Sequence, residues 1–129
     1  MRSNTHLGIN TNLCGCPVQI EPGVAKVELQ TSDVMSADDA GLVHGGFVFG
    51  AADYAAMLAV NDPYVVLGAA ECRFLAPVRV GERVALSASV IEAKGKKHLV
   101  NVEGTVDDRT VFTATFTTFV LEKHVLSDT

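Results

Sequence analysis

Residues 45–60 read GGFVFGAADYAAMLAV, and nearly every one is apolar or small. Alanine, leucine and methionine are good helix formers, and the run lacks the alternation of a half-buried strand, so a buried helix is predicted. Asn61-Asp62-Pro63 ends it, because proline disfavours a helical residue before it. A helix apolar on nearly every face must be enclosed by other elements. The rest of the chain therefore has to wrap this segment. One residue breaks the pattern: Asp53 is the only charge between His44 and Asn61.

The remaining sequence supplies the wrapping. Before the helix, Ala25, Val27 and Leu29 alternate with Lys26, Glu28 and Gln30, the pattern of a half-buried strand. The stretch TSDVMSADDAG then reads as loop. After the helix, residues 64–75 are rich in branched and aromatic side chains, and Pro77 closes them. Val84, Leu86, Ala88 and Val90 alternate with Ala85, Ser87 and Ser89; His98, Val100 and Val102 alternate with Leu99, Asn101 and Glu103. Phe112, Ala114, Phe116, Thr118 and Val120 share one face of a last strand, and KGKK and DDRT form the turns between. Residues 1–16 show no period and are expected to be loosely ordered or a short helix. The prediction is one α+β domain over residues 1–129, with a single helix wrapped by a curved antiparallel sheet.

Composition narrows the function classes. With 129 residues and 48% hydrophobic side chains, the chain can bury a real core. A net charge of -5 argues against nucleic acid as the main partner. The apolar run is too short to span a bilayer with an aspartate at its centre. No charged-then-apolar leader is visible, which predicts a cytoplasmic protein. Cys14, Cys16 and Cys72 lack the spacing of a zinc or redox motif, so neither a metal nor a cofactor is expected.

His44-Gly45-Gly46 is followed, nine residues after the histidine, by Asp53. Further on stand Phe74, Leu75, Pro77, Val78, Gly81 and Glu82 in the order F-L-x-P-V-x-x-G-[DE]. With these motifs the chain resembles the hotdog-fold acyl-CoA thioesterases, in particular the branch similar to the phenylacetate-pathway thioesterase. The likeness extends from about residue 14 to residue 122. It implies a hotdog fold, hydrolysis of an acyl-CoA, a catalytic role for Asp53, and a homodimer that can pair into a dimer of dimers. Two positions depart from the family pattern. Asp38 stands six residues before His44, where many relatives carry Asn or Gln, and Met57 stands one turn after Asp53, where relatives often carry Ser or Thr.

Thioester hydrolysis needs a stabilised carbonyl oxygen and a supplied nucleophile. A helix N-terminus offers free N–H groups and a positive dipole end, and Gly45 has no side chain to obstruct them. Asp53 can activate water or attack directly. The resemblance implies that His44 belongs with Asp53 and Gly45 to the catalytic set, helping to form the substrate pocket or hydrogen-bonding near the carbonyl; the other reading is a helix-entry side chain that bonds a nearby backbone group. Gly46, Asp38, Met57 and Phe74 complete the expected substrate set. Lys96 and Lys97, in a turn with Lys94, are candidates for the phosphates of coenzyme A or a solvated turn. Asp38 and Asp39 also read as loop or helix-start capping. Glu71 and Arg73 share a strand face, so an ion pair at a surface or interface is their ordinary reading. His98 reads as a core or interface histidine.

Gly45 and Asp53 are eight residues apart, hence about 12 Å along one helix axis. Both cannot reach one carbonyl from the same helix. A shared site built from two copies follows. An alternative reading is a hotdog protein that binds acyl-CoA without cleaving it, although a sensor has no need of Asp53. Hydratase chemistry is disfavoured, because five residues after Asp33 stands Asp38 and not histidine.

Overall fold

The computed structural model describes residues 1–127. A one-turn helix α1 (Thr11–Cys14) leads into β1 (Cys16–Glu21) and β2 (Val24–Gln30). A short 3-10 turn (Asp33–Met35) and a loop then precede the helix α2 (Gly45–Val60). β3 (Val65–Phe74), β4 (Arg83–Lys94), β5 (Lys97–Val106) and β6 (Arg109–Val120) complete the chain. The strands form one antiparallel sheet in the order β1-β2-β4-β5-β6-β3, and α2 packs chiefly on β2, β4 and β5. This is the α+β hotdog arrangement, with one long helix wrapped by a curved sheet.

The sheet presents to the helix the face that alternation predicts. Val84, Leu86 and Ala88 of β4, Val100 and Val102 of β5, and Phe112 and Phe116 of β6 are all buried. Thr118 lies on the same face and is fully buried, and its hydroxyl donates to the His98 carbonyl at 3.0 Å. That bond meets the requirement that a buried hydroxyl find a partner. On α2, Val48, Ala51, Ala52, Ala55, Ala56, Leu58 and Ala59 are buried. Along the line of Gly46, Gly50, Asp53, Met57 and Val60, spaced three or four residues apart, all but the buried Met57 stay partly or fully accessible. One chain's sheet therefore encloses the helix incompletely, and Asp53 sits on the stripe it leaves.

The helix ends where Asn61-Asp62-Pro63 predicts. Asn61 adopts the left-handed conformation (φ 55°), which asparagine tolerates, and its N–H caps the Met57 carbonyl at 2.7 Å. Its side chain also ties down the N-terminal arm: Oδ1 accepts from the Asn4 N–H at 2.7 Å, and Nδ2 donates to the Arg2 carbonyl at 3.0 Å. The first residues are thus a strap along α2, with Thr5 buried, ending in the one-turn helix.

Two elements depart from the sequence reading. β1 was not anticipated, because only Ile20 of its residues is buried and a bulge between Pro17 and Gln19 destroys its alternation. The loop before α2 contains the 3-10 turn, whose Met35 is fully buried and whose carbonyl accepts from the His44 N–H at 2.8 Å. Among the described residues no helix is long and apolar enough to cross a membrane.

Candidate active site

The start of α2 is clamped from both sides. Val43 N–H donates to the Val78 carbonyl at 2.9 Å, and isolated bridges join Ser36 to Val43 and Leu42 to Arg79. His44 is the N-cap, in extended conformation, and its side chain makes no capping bond. A first helical turn leaves its N–H groups without intrahelical acceptors. Phe47 donates to the His44 carbonyl at 3.1 Å, and no group among the described residues accepts from Gly45 or Gly46. Two orphan donors therefore stand at the positive end of the helix dipole.

Both glycines are held by close neighbours. A Cβ on Gly45 would lie 3.0 Å from Cε1 of Phe74, and one on Gly46 would lie 3.2 Å from two atoms of the His44 ring. The His44 ring also meets Phe47 edge-on, and Phe74 meets Phe112 in the same way. A groove of about 400 Å³ opens at this end, lined by Gly45, Val48, Phe74, Pro77, Val78 and Val111 among others. It is apolar except for the backbone, which suits an acyl group next to an N–H donor.

Asp53 lies two turns further on. It is half-buried, and its Oδ1 is fully buried with no hydrogen-bond partner. Burial raises its pKa from 3.8 to about 6. Orphaned carboxylate oxygens are expensive to keep, so one retained on an otherwise apolar helix points to function. Met57, the next residue on that side, is buried. Cys14 at the end of α1 is near enough that the Asp53 charge, after burial, helps raise its thiol pKa. Sequence reasoning had no means of placing Cys14 there, because the contact depends on how the arm folds back over α2.

The other expected residues are placed less centrally. The Asp38 carboxylate accepts from the N–H groups of Ala40 at 2.9 Å and Leu42 at 3.2 Å, so it organises its own loop. That loop supplies Leu42 and Val43 to the groove. Lys96 and Lys97 sit in the β4–β5 hairpin, where Lys96 pairs with Glu122 at 3.7 Å. Along β5, Lys97 is seven residues from Gly104, which faces Phe112 and through it Phe74. That is roughly 23 Å along the strand, so within one protomer the lysines do not reach Gly45. His98 has a buried, unpartnered Nδ1 at the same far end. A polar groove of about 1010 Å³ lies on the outer sheet face between Ser87, Asn101, Glu103 and Thr115, and none of the expected site residues lines it.

Within one protomer, then, Gly45, Gly46, His44 and Phe74 come together, Asp53 and Met57 lie further along the helix, Asp38 holds the loop that borders the groove, and the lysines stand apart. All three cysteines are free, and among the described residues no cluster of metal-ligating side chains occurs.

The fold recurs among known proteins. An uncharacterized protein from Pyrococcus horikoshii has the same structure, with a TM-score of 0.97, 50% identity, and 98% of each chain covered. A variant of the phenylacetic acid degradation protein PaaI from Thermus thermophilus matches with a TM-score of 0.78 and 27% identity, over 84% of this chain and 95% of that one. Among curated relatives, a methylthioribose-1-phosphate isomerase from Aquifex aeolicus is 53% identical over 94% of this chain, which spans only 26% of that protein. The transcription factor FapR of Caldanaerobacter subterraneus is 32% identical over 66% of this chain and 42% of its own length. The chain thus spans well under half the length of these curated relatives. Residues 40–113, from the loop before α2 into β6, match the thioesterase superfamily, and the chain belongs to that family.

Proposed function

We propose that this protein hydrolyses acyl-CoA thioesters as a homodimer, with each site formed by Asp53 of one protomer and the Gly45 N–H of the other. The observation that carries the reading is the half-buried Asp53 carboxylate, with its unpartnered Oδ1 and raised pKa, on the stripe of α2 that its own sheet leaves open. In the hydrolysis Asp53 takes a proton from water as the oxygen attacks the thioester carbon. The oxyanion accepts from the Gly45 N–H. The C–S bond then breaks, the acid leaves, and the proton passes to the sulfur of coenzyme A. A pKa near 6 leaves the carboxylate ionised at neutral pH yet basic enough to share a proton. Direct attack by Asp53, through an anhydride that water then opens, uses the same two groups. Gly46, by its lack of a side chain, seats the His44 ring beside the donors, and Phe74 walls the acyl groove.

Release of free thiol from a panel of acyl-CoA esters tests this, comparing wild type with Asp53→Asn. Turnover on at least one ester, lost by orders of magnitude in the variant, is the expected result. A second reading, binding of an acyl-CoA without cleavage, is favoured by the likeness to a protein named as a transcription factor. Tight binding with no turnover on any ester would establish it instead.

A further inference from the structure

The stripe of α2 that the sheet leaves bare is not open along its whole length. At Gly50 an added Cβ would meet nothing within 4 Å. One turn on, Asp53 Oδ1 is buried, although the sheet packs against the other faces of the helix. At Val60 the stripe is partly open again. The cover over Asp53 comes from the N-terminal arm, whose one-turn helix α1 packs on α2.

Three anchors hold that arm. Asn61 fastens its start: Oδ1 accepts from the Asn4 N–H at 2.7 Å, and Nδ2 donates to the Arg2 carbonyl at 3.0 Å. In its middle Thr5 is buried, and the His6 ring lies 6.1 Å from that of Tyr54, the residue after Asp53. At its end Gly15 presses α1 onto β2, where a Cβ would stand 2.5 Å from Val27 Cγ1, a contact only glycine permits. Ile9 and Cys14 are the arm side chains that pack against the core.

Cys14 faces Asp53 from α1: burial raises its thiol pKa, and the Asp53 charge adds to the rise. Cys16 of β1 acts with Cys14 on the neighbouring Tyr54. The strands under α2 turn Val27, Leu29, Leu86 and Val100 toward it, with His98 the titratable side chain of that face. Burial, and not a neighbouring charge, is what raises the Asp53 pKa. We propose that residues 2–14 are a positioning part of the active site: fastened by the Asn61 side chain, they lay Cys14 over one oxygen of Asp53 and keep water from it. This rests on the reading of Asp53 as the base and supplies the cause of its basicity. With the arm lifted, water reaches Oδ1 and the carboxylate becomes an ordinary, weaker base. Asp53 as a whole is only half-buried, so the cover is one-sided and leaves room for substrate.

Two full-chain variants loosen the cover at different points. Asn61→Gly keeps the left-handed end of α2, which glycine adopts freely, and removes only the clasp. Cys14→Gly removes the side chain over Asp53, and Cys14→Val puts back an apolar cover without a thiol. Each is followed by the pH profile of kcat/KM for thiol release. Each is also followed by 13C NMR titration of the Asp53 carboxyl, assigned against Asp53→Asn. Both glycine variants are expected to move the midpoint down by about one pH unit, from about 6 toward 3.8, and to lower kcat severalfold at pH 8. Cys14→Val should keep the wild-type midpoint. An arm with a merely structural role would lower Tm and leave the midpoint in place. An unmoved midpoint in either folded glycine variant therefore overturns the proposal, while the thioesterase reading stands. So does a midpoint that moves as far in Cys14→Val as in Cys14→Gly. Should one glycine variant fail to fold, the other carries the same test. An NMR midpoint that moves as expected, in a protein that hydrolyses no ester, supports the cover and refutes the hydrolase.

Discussion

The first turn of α2 and its Asp53 turn are opposites. At the first turn, Gly45 and Gly46 are donors without acceptors, set at an accessible helix end. Two turns on, Asp53 Oδ1 is an acceptor without a donor, and it is buried. Exposed orphan donors cost little, because water serves them, whereas a buried orphan acceptor is a standing expense in stability. The pair is complementary, but about 12 Å of helix separates them. In a symmetric dimer the shortfall at each station of one helix can be met by the other station of its partner. On the proposed reading, the lone charge in the apolar run is one half of a site.

The sharpest way to break this pairing is at its expensive member. Asp53→Asn should lower kcat by about a thousandfold or more, measured as thiol release at saturating ester, since it removes the base outright. The donor station comes next. Gly45 is the first helical residue and His44 is extended (ψ 129°), so proline fits the backbone there. Gly45→Pro deletes the N–H and should cost about 10²–10³ in kcat. Gly45→Ala keeps the donor and brings its Cβ to 3.0 Å from Phe74, so it isolates the steric share of that loss. It should retain most of kcat and mainly raise KM.

Protonation offers a gentler perturbation of the same carboxylate. Because burial raises the Asp53 pKa to about 6, kcat/KM should fall about tenfold per pH unit below that value and level off above it. A profile flat from pH 4 to 7 would remove Asp53 as the base. Stability must move the opposite way. The folded chain holds this proton more tightly than the unfolded one, whose carboxyl titrates near 3.8, so stability falls as pH rises from about 4 to about 6. Asp53→Asn should therefore raise Tm by a few degrees at pH 8, equivalent to on the order of 1–3 kcal/mol, and change it little at pH 4. Equal Tm at pH 8 would show that the desolvation of Asp53 is relieved by something other than the substrate.

How much of this could be read in the sequence follows from which forces are local. The helix, its stop at Asn61, and the buried faces of β4, β5 and β6 depend on periodicity and proline geometry, and both are written in consecutive residues. β1 escaped because an edge strand with one buried residue and a bulge has no period to detect. The HGG-to-Asp53 spacing located the orphan donors and the orphan acceptor, since both depend on position along one helix. Asp38 was harder: nothing local distinguishes a carboxylate aimed at a substrate from one accepting the N–H groups of Ala40 and Leu42. The lysine hairpin and Cys14 depended on long-range packing. Folding sends Lys96 and Lys97 to the far end of β5 and brings Cys14 close to Asp53.

A mixing experiment examines the shared site most directly. Gly45→Pro and Asp53→Asn homodimers are each expected to be nearly inactive. Denatured together in equal amounts and refolded, half of the dimers are mixed, and each mixed dimer holds one site with an intact Gly45 and an intact Asp53. Activity should return to about a quarter of wild type, the share set by random pairing in a twofold dimer. If the two residues served a site within one chain, no mixed dimer would contain an intact site. Activity that stayed at the level of the separate variants would contradict the account.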